Sequence, residues 1–142
     1  MYDTILVPTD GSDQANAALD HAVGLARDHG ATLHLLYVAD SNRDSVTTLG
    51  GEVVDALEQE GERILADATE RLTDTVDLVD AVETGDPVET ILDYADAVDA
   101  DVIVMGTHGR RGLDRYLLGS TTERVVRRSP VAVLTIRSEE SD

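Results

Sequence analysis

The sequence contains no cysteine, no lysine, no tryptophan and no phenylalanine. Without cysteine there are no disulfides, thiolate nucleophiles, iron–sulfur clusters or cysteine-based zinc sites. Without lysine, Schiff-base chemistry and the lysine of a Walker A loop are excluded as well. Every basic side chain is one of 11 arginines, set against 29 carboxylates for a net charge of −18. That balance excludes a nucleic-acid or anionic-membrane binder working through overall charge. No run approaches the about 20 apolar residues of a membrane span, so no membrane insertion is expected. The opening MYDTILVPTD lacks a basic n-region and reads as strand and turn, which predicts no signal peptide and a cytoplasmic protein.

The chain has 142 residues, 42% of them hydrophobic, enough for the core of one ordinary domain spanning 1–142. Its carboxylates are spread along the whole length and do not form an acidic tail. An acidic, lysine-free surface suits a halophilic cytoplasm, where self-repulsion is screened over about 3 Å at 1 M salt. The alternative is an ordinary acidic protein.

Strands and helices alternate throughout. Thr4–Val7 is a short apolar run ending in the Pro8-Thr9-Asp10-Gly11 turn. Ser12 then caps a helix with Ala15, Ala18, Leu19, Ala22, Leu25 and Ala26 on one face, stopped by Gly30. Ala31–Val38 is the second strand, and Asp40–Thr48 is a polar connection to a long helix over roughly 52–72. The more polar Val76–Val82 reads as an edge strand. Asp86 as N-cap, Pro87 at N1 and Glu89 at N3 open the next helix with a capping box. Val102–Met105 is a buried strand, residues 106–119 a glycine-containing loop, Ser120–Arg128 a short helix and Val131–Ile136 the last strand. This order predicts a single α/β domain, a three-layer α/β/α sandwich around a parallel five-stranded sheet.

In such folds ligands bind beyond the carboxyl ends of the strands, where the strand order reverses. A reversal between the first and fourth strands brings Pro8-Thr9-Asp10 beside Gly106-Thr107-His108-Gly109. Charge points to the same place: six of the 11 arginines lie between 106 and 128, against only Asp114 and Glu123. A positive island in so acidic a chain suggests an anionic ligand. Arg127 and Arg128 are read more simply as facing the carboxyl end of their helix, and Arg110 and Arg111 as neighbours of a phosphate or ribose. Ser120 with Glu123 reads as a second capping box, and the N–H groups there also suit phosphate oxygens.

The spacing Gly106-x2-Gly109-x9-Gly119-Ser120 resembles the signature of the universal stress protein family, in its ATP-binding subclass. ILVPTDGS at the start, Gly85-Asp86-Pro87, VIVMGTHGRRGLDRYLLGS and the closing SPVAVLTIR extend the resemblance over essentially the whole chain. It implies an adenine nucleotide alpha hydrolase-like domain with strand order 3-2-1-4-5, binding ATP or another adenine nucleotide. It also implies that Pro8, Thr9, Asp10 and Val38 hold adenine and ribose, with Met105 at the pocket wall. Phosphates fall to Gly106, Gly109, Gly119, Ser120 and Thr121; Arg110 matches a variable stretch of the family, and only its charge sets it near phosphate or ribose. Dimerisation of relatives through the last strand implies a homodimer paired along Val131–Ile136.

Other residues carry weaker readings. His108 could touch a phosphate, but a lone histidine between glycines is more simply a packing residue. Asp10 could hold a magnesium ion carried by the nucleotide, although a ribose contact fits it better. No histidines stand at metal-ligand spacing, no nucleophilic triad is indicated, and Asp93, Asp96, Asp99 and Asp101 read as a solvated acidic face. The leading expectation is therefore a nucleotide-binding regulatory or stress-response protein. The alternatives are slow ATP hydrolysis at the same site, with no lysine or metal cluster to speed it, and a dimer module that binds no nucleotide.

Overall fold

The computed structural model describes residues 2–40, 51–72, 76–107 and 119–137. Over these the chain runs β1 (Thr4–Pro8), α1 (Asp13–His29), β2 (Thr32–Asp40), α2 (Gly51–Leu72), β3 (Asp77–Gly85), α3 (Pro87–Ala97), β4 (Val102–Gly106), α4 (Ser120–Arg128) and β5 (Ala132–Ile136). The strands form one parallel sheet in the order β3-β2-β1-β4-β5. Each element expected from the sequence is present in kind. β2 and β3 run two and three residues further than their apolar runs, because their polar ends pair with each other from Val38↔Glu83 to Asp40↔Gly85. The polar connection after Asp40 lies outside the described residues.

Residue alternation along the strands divides the core into two layers. Ile5, Val7, Leu33, Leu35, Val102 and Val104 point to one side, where they pack against α1 and α2 through Leu19, Ala22, Leu57 and Leu65. Leu6, Leu36, Ile103 and Met105 point to the other, under α3 and α4, against Val88, Ile91 and Val125. Near-continuous apolar strands are what a parallel sheet covered on both faces requires. β3 is half exposed along its length, as expected of an edge.

Local chemistry sets the helix ends. Ser12 accepts from the Ala15 N–H at 3.1 Å, and Gly30 closes α1 in the left-handed region at φ 65°. Asp86 accepts from the Glu89 N–H at 3.0 Å, with Pro87 in the first turn of α3. The capping box expected at Ser120 does not form. Gly119 is the N-cap of α4, no side chain caps it, and Ser120 is already the first helical residue. Glu123 instead pairs with Arg127 at 3.1 Å across one turn.

Candidate functional site

The strand order reverses between β1, which continues towards β2 and β3, and β4, which continues to β5. Ile5 pairs with Val102 and Leu6 with Ile103, and the same register carried forward sets Thr9 level with Gly106. On the other flank Pro8 pairs with Leu36, which sets Asp10 level with Val38. Pro8, Thr9, Asp10, Val38, Met105 and Gly106 thus gather at the carboxyl ends of three adjacent strands. Gly119, Ser120 and Thr121 reach that end by a different route, through the start of α4.

The turn after β1 is built from short side-chain hydrogen bonds. The Thr9 N–H donates to the Leu36 carbonyl at 2.8 Å, extending the sheet by one residue. Its hydroxyl accepts from the Gly11 N–H at 3.1 Å, and an Asp10 carboxylate oxygen accepts from the Ser12 N–H at 2.9 Å. Thr, Asp and Ser suit these positions because their oxygens reach a backbone N–H two or three residues on. Gly11 has φ 80°, and a Cβ there would stand 2.9 Å from Ile64 Cδ1 on α2. The second long helix therefore lies directly over the Asp10 turn.

The end of β4 is fixed from three sides. A Cβ on Gly106 would come within 2.8 Å of the Gln14 carbonyl oxygen, so the first turn of α1 rests on this glycine. The Gly106 carbonyl accepts from the Thr122 hydroxyl at 2.9 Å, in a buried bond from α4 back to the strand. One residue on, the Thr107 N–H donates to Ile136 at 3.1 Å, and the Thr107 carbonyl accepts from the Gly119 N–H at 2.7 Å. Residues 107 and 119 are thereby clamped together at the base of the segment between them. Gly109, Arg110, Arg111 and His108 lie within that segment, outside the described residues.

Sequence reasoning missed Thr122. It is 4% exposed, and its inward direction is readable only as an i, i+3 partner of the buried Val125. Met105 is 6% exposed and sits in the core layer beneath α3. Asp101, read from the sequence as part of a solvated acidic face, remains open to solvent and in addition accepts from the backbone N–H groups of Asp3 and Thr4. Among the described residues no group of three or more histidines and carboxylates is placed to hold a metal ion. No described helix is long and apolar enough to cross a membrane.

Comparison with known proteins places this geometry in context. The sequence profile of the universal stress protein family matches residues 1–137. Universal stress protein MJ0531 of Methanocaldococcus jannaschii is 32% identical over 146 residues, covering 100% of this chain and 86% of the relative. Among solved structures, universal stress protein UspA from Lactobacillus plantarum superimposes with a TM-score of 0.86 at 34% identity, over 96% of this chain and 98% of that one. A universal stress protein solved in complex with cAMP superimposes with a TM-score of 0.75 at 30% identity, over 97% and 99% of the two chains. On the profile match, the identity to its relatives and the shared fold, this chain belongs to the universal stress protein family.

Proposed function

We propose that this protein is an adenine-nucleotide-binding regulator of the ATP-binding subclass, holding its ligand at the carboxyl ends of β1 and β4. The observation that carries the reading is the start of α4: an N-cap glycine without a side-chain cap, tied through Thr122 to the last residue of β4 at the reversal of strand order. First-turn N–H groups that no side chain caps suit phosphate oxygens, and the missing Cβ at 119 lets a ligand approach them closely, whereas the space beside Gly106 is taken by the Gln14 backbone of α1. The cAMP-bound relative supports an adenine nucleotide as the ligand class.

In this reading Pro8, Thr9, Asp10 and Val38 meet adenine and ribose, and Met105 backs the pocket. Gly106, Gly109, Gly119, Ser120 and Thr121 meet the phosphates, with Arg110 beside phosphate or ribose. Asp10 contributes to the ribose contact in preference to a magnesium ion. Residues 1–142 act as one cytoplasmic domain, dimerised along β5. An acidic surface tuned to high salt leaves long-range attraction weak, so affinity rests on directional hydrogen bonds more than on arginine charge. Occupancy of the site, not turnover, is the signal.

Calorimetric titration of ATP, ADP and AMP in molar potassium chloride tests this. Saturable binding of at least one nucleotide, weaker for adenosine, is expected. Flat titrations for all three nucleotides would overturn the reading.

A further inference from the structure

Thr122 is a polar side chain in an apolar setting. It is 4% exposed, shares the inward face of α4 with Val125, and its hydroxyl is committed to one acceptor, the Gly106 carbonyl. A parallel strand that ends in a loop leaves its last carbonyl without a ladder partner, and a buried carbonyl in that state is costly. Here the donor comes from a helix 16 residues later. The same bond thus serves two ends: it satisfies β4 and it sets where α4 begins relative to β4.

That position is set by a small number of bonds between α4 and the strands. The N-cap of α4 is a glycine with no side-chain hydrogen bond, unlike the Ser12 and Asp86 caps of α1 and α3. Its backbone is held at Thr107 by the 2.7 Å bond from Gly119, and Thr107 in turn by β5. Gly106 cannot drift to compensate, since the Gln14 backbone of α1 lies 2.8 Å from where a Cβ would be. The Thr122 bond is therefore the side-chain tie between the first turn of α4 and the end of β4, beside the backbone tie from Gly119 to Thr107.

We infer that Thr122 is a positioning residue for the phosphate end of the proposed nucleotide site: it touches no ligand, and it holds Gly119, Ser120 and Thr121 at the distance from Gly106 that a phosphate needs. This rests on the nucleotide-binding reading above. Adenine and ribose are assigned to the β1 turn and the end of β2, whereas the Thr122 hydroxyl bonds to the end of β4. The loss of its hydroxyl should therefore fall on the phosphate-dependent part of affinity. A residue that merely stabilised the fold would weaken nucleotide and nucleoside alike.

The test compares wild type, Thr122→Val and Thr122→Ser, titrated with AMP and with adenosine and melted in parallel. Thr122→Val keeps shape and removes the hydroxyl, so AMP affinity should fall about tenfold, the order of one buried hydrogen bond, while adenosine affinity holds. Thr122→Ser restores the hydroxyl and should restore the preference for AMP over adenosine. Unchanged AMP affinity in Thr122→Val, or equal losses for AMP and adenosine, would overturn the inference. If Thr122→Val does not fold, Thr122→Ala is titrated in its place: a loss of AMP affinity with adenosine affinity held supports the role, and equal losses or none overturn it. Wild type that binds neither AMP nor the other nucleotides would overturn the functional reading itself, and this inference with it.

Discussion

Asp101 and Thr4 hold each other by two reciprocal hydrogen bonds. The Asp101 N–H donates to the Thr4 carbonyl at 2.8 Å, and the Thr4 N–H donates back to the Asp101 carboxylate at 2.9 Å. The same carboxylate oxygen takes the Asp3 N–H at 2.7 Å. A side chain at the start of β4 thus caps the start of β1, pinning the two central strands together at the end opposite the proposed site.

These two N–H groups, that of Asp3 first and that of Thr4 second, hold the Asp101 carboxyl below its ordinary value. A carboxyl depressed in the folded state stabilises above its unfolded value, about 3.9, and loses that contribution as pH falls through the folded value. Asp101→Asn, whose amide oxygen still accepts but carries no charge, should lower the melting temperature at pH 7 by about 2–4 °C, on the scale of the charge assistance lost from two exposed hydrogen bonds. The gap from wild type should narrow as the pH is taken below about 4. A gap that persists at acid pH would show that the charge is not what matters.

Two helical glycines predict opposite signs. Gly24 in α1 has nothing within 4 Å of an added Cβ, so Gly24→Ala should stabilise by about 0.5–1 kcal/mol through helix propensity. Gly61 in α2 rests on the ring of Tyr37, where a Cβ would meet Cδ2 and stand 2.7 Å from Cε2. The same propensity gain is outweighed there by overpacking of about 1–3 kcal/mol, and Gly61→Ala should destabilise. Urea denaturation of both variants reads the two signs directly.

His34 on β2 meets Tyr94 on α3, ring nitrogen to hydroxyl at 3.1 Å, with the rings edge to face at 5.7 Å. Burial lowers the histidine from its ordinary value. Burial also raises the Tyr94 phenol, and the nearby Glu83 and Asp80 carboxylates add to that rise. The fold therefore favours neutral imidazole, and stability should be complete above about pH 6.5 and decline as pH falls through the lowered value. His34→Gln should remove that part of the decline. Proton NMR titration of the His34 ring should give a midpoint below that of an exposed histidine, and a midpoint above it would contradict the arrangement.

β5 ends the sheet beside β4, with one row of backbone groups facing away from the other strands. Such an edge invites pairing with a second copy. Light scattering in molar potassium chloride should return twice the chain mass of 15.2 kDa. Introducing proline at Thr135, whose N–H faces away from β4 by the β4–β5 register, should shift that mass towards the monomer. Melting temperature should rise from millimolar to molar salt as carboxylate repulsion is screened.

The caps show how much of this was legible in advance. Ser12 and Asp86 act on N–H groups three residues ahead, so a few letters of sequence suffice to find them. Ser120 looked the same in sequence and behaves differently. The Gly119 N–H is bonded to Thr107, which fixes the backbone there and starts the helix one residue earlier than the hydroxyl pattern implied. The capping role of Asp101 was not legible for a related reason. Its partners lie 97 and 98 residues away, beyond the reach of any local pattern.

From the amino-acid order alone came the alternation of strand and helix, the parallel sheet, and the two loops proposed to hold a ligand. Those follow from apolar periodicity and turn chemistry, which act over a few residues. Only the folded chain decided which carbonyl Thr122 satisfies, which glycine Gln14 rests on and which strand Asp101 caps. Each is a meeting between elements remote in sequence, set by how helices pack across the sheet and therefore absent from any single stretch of it.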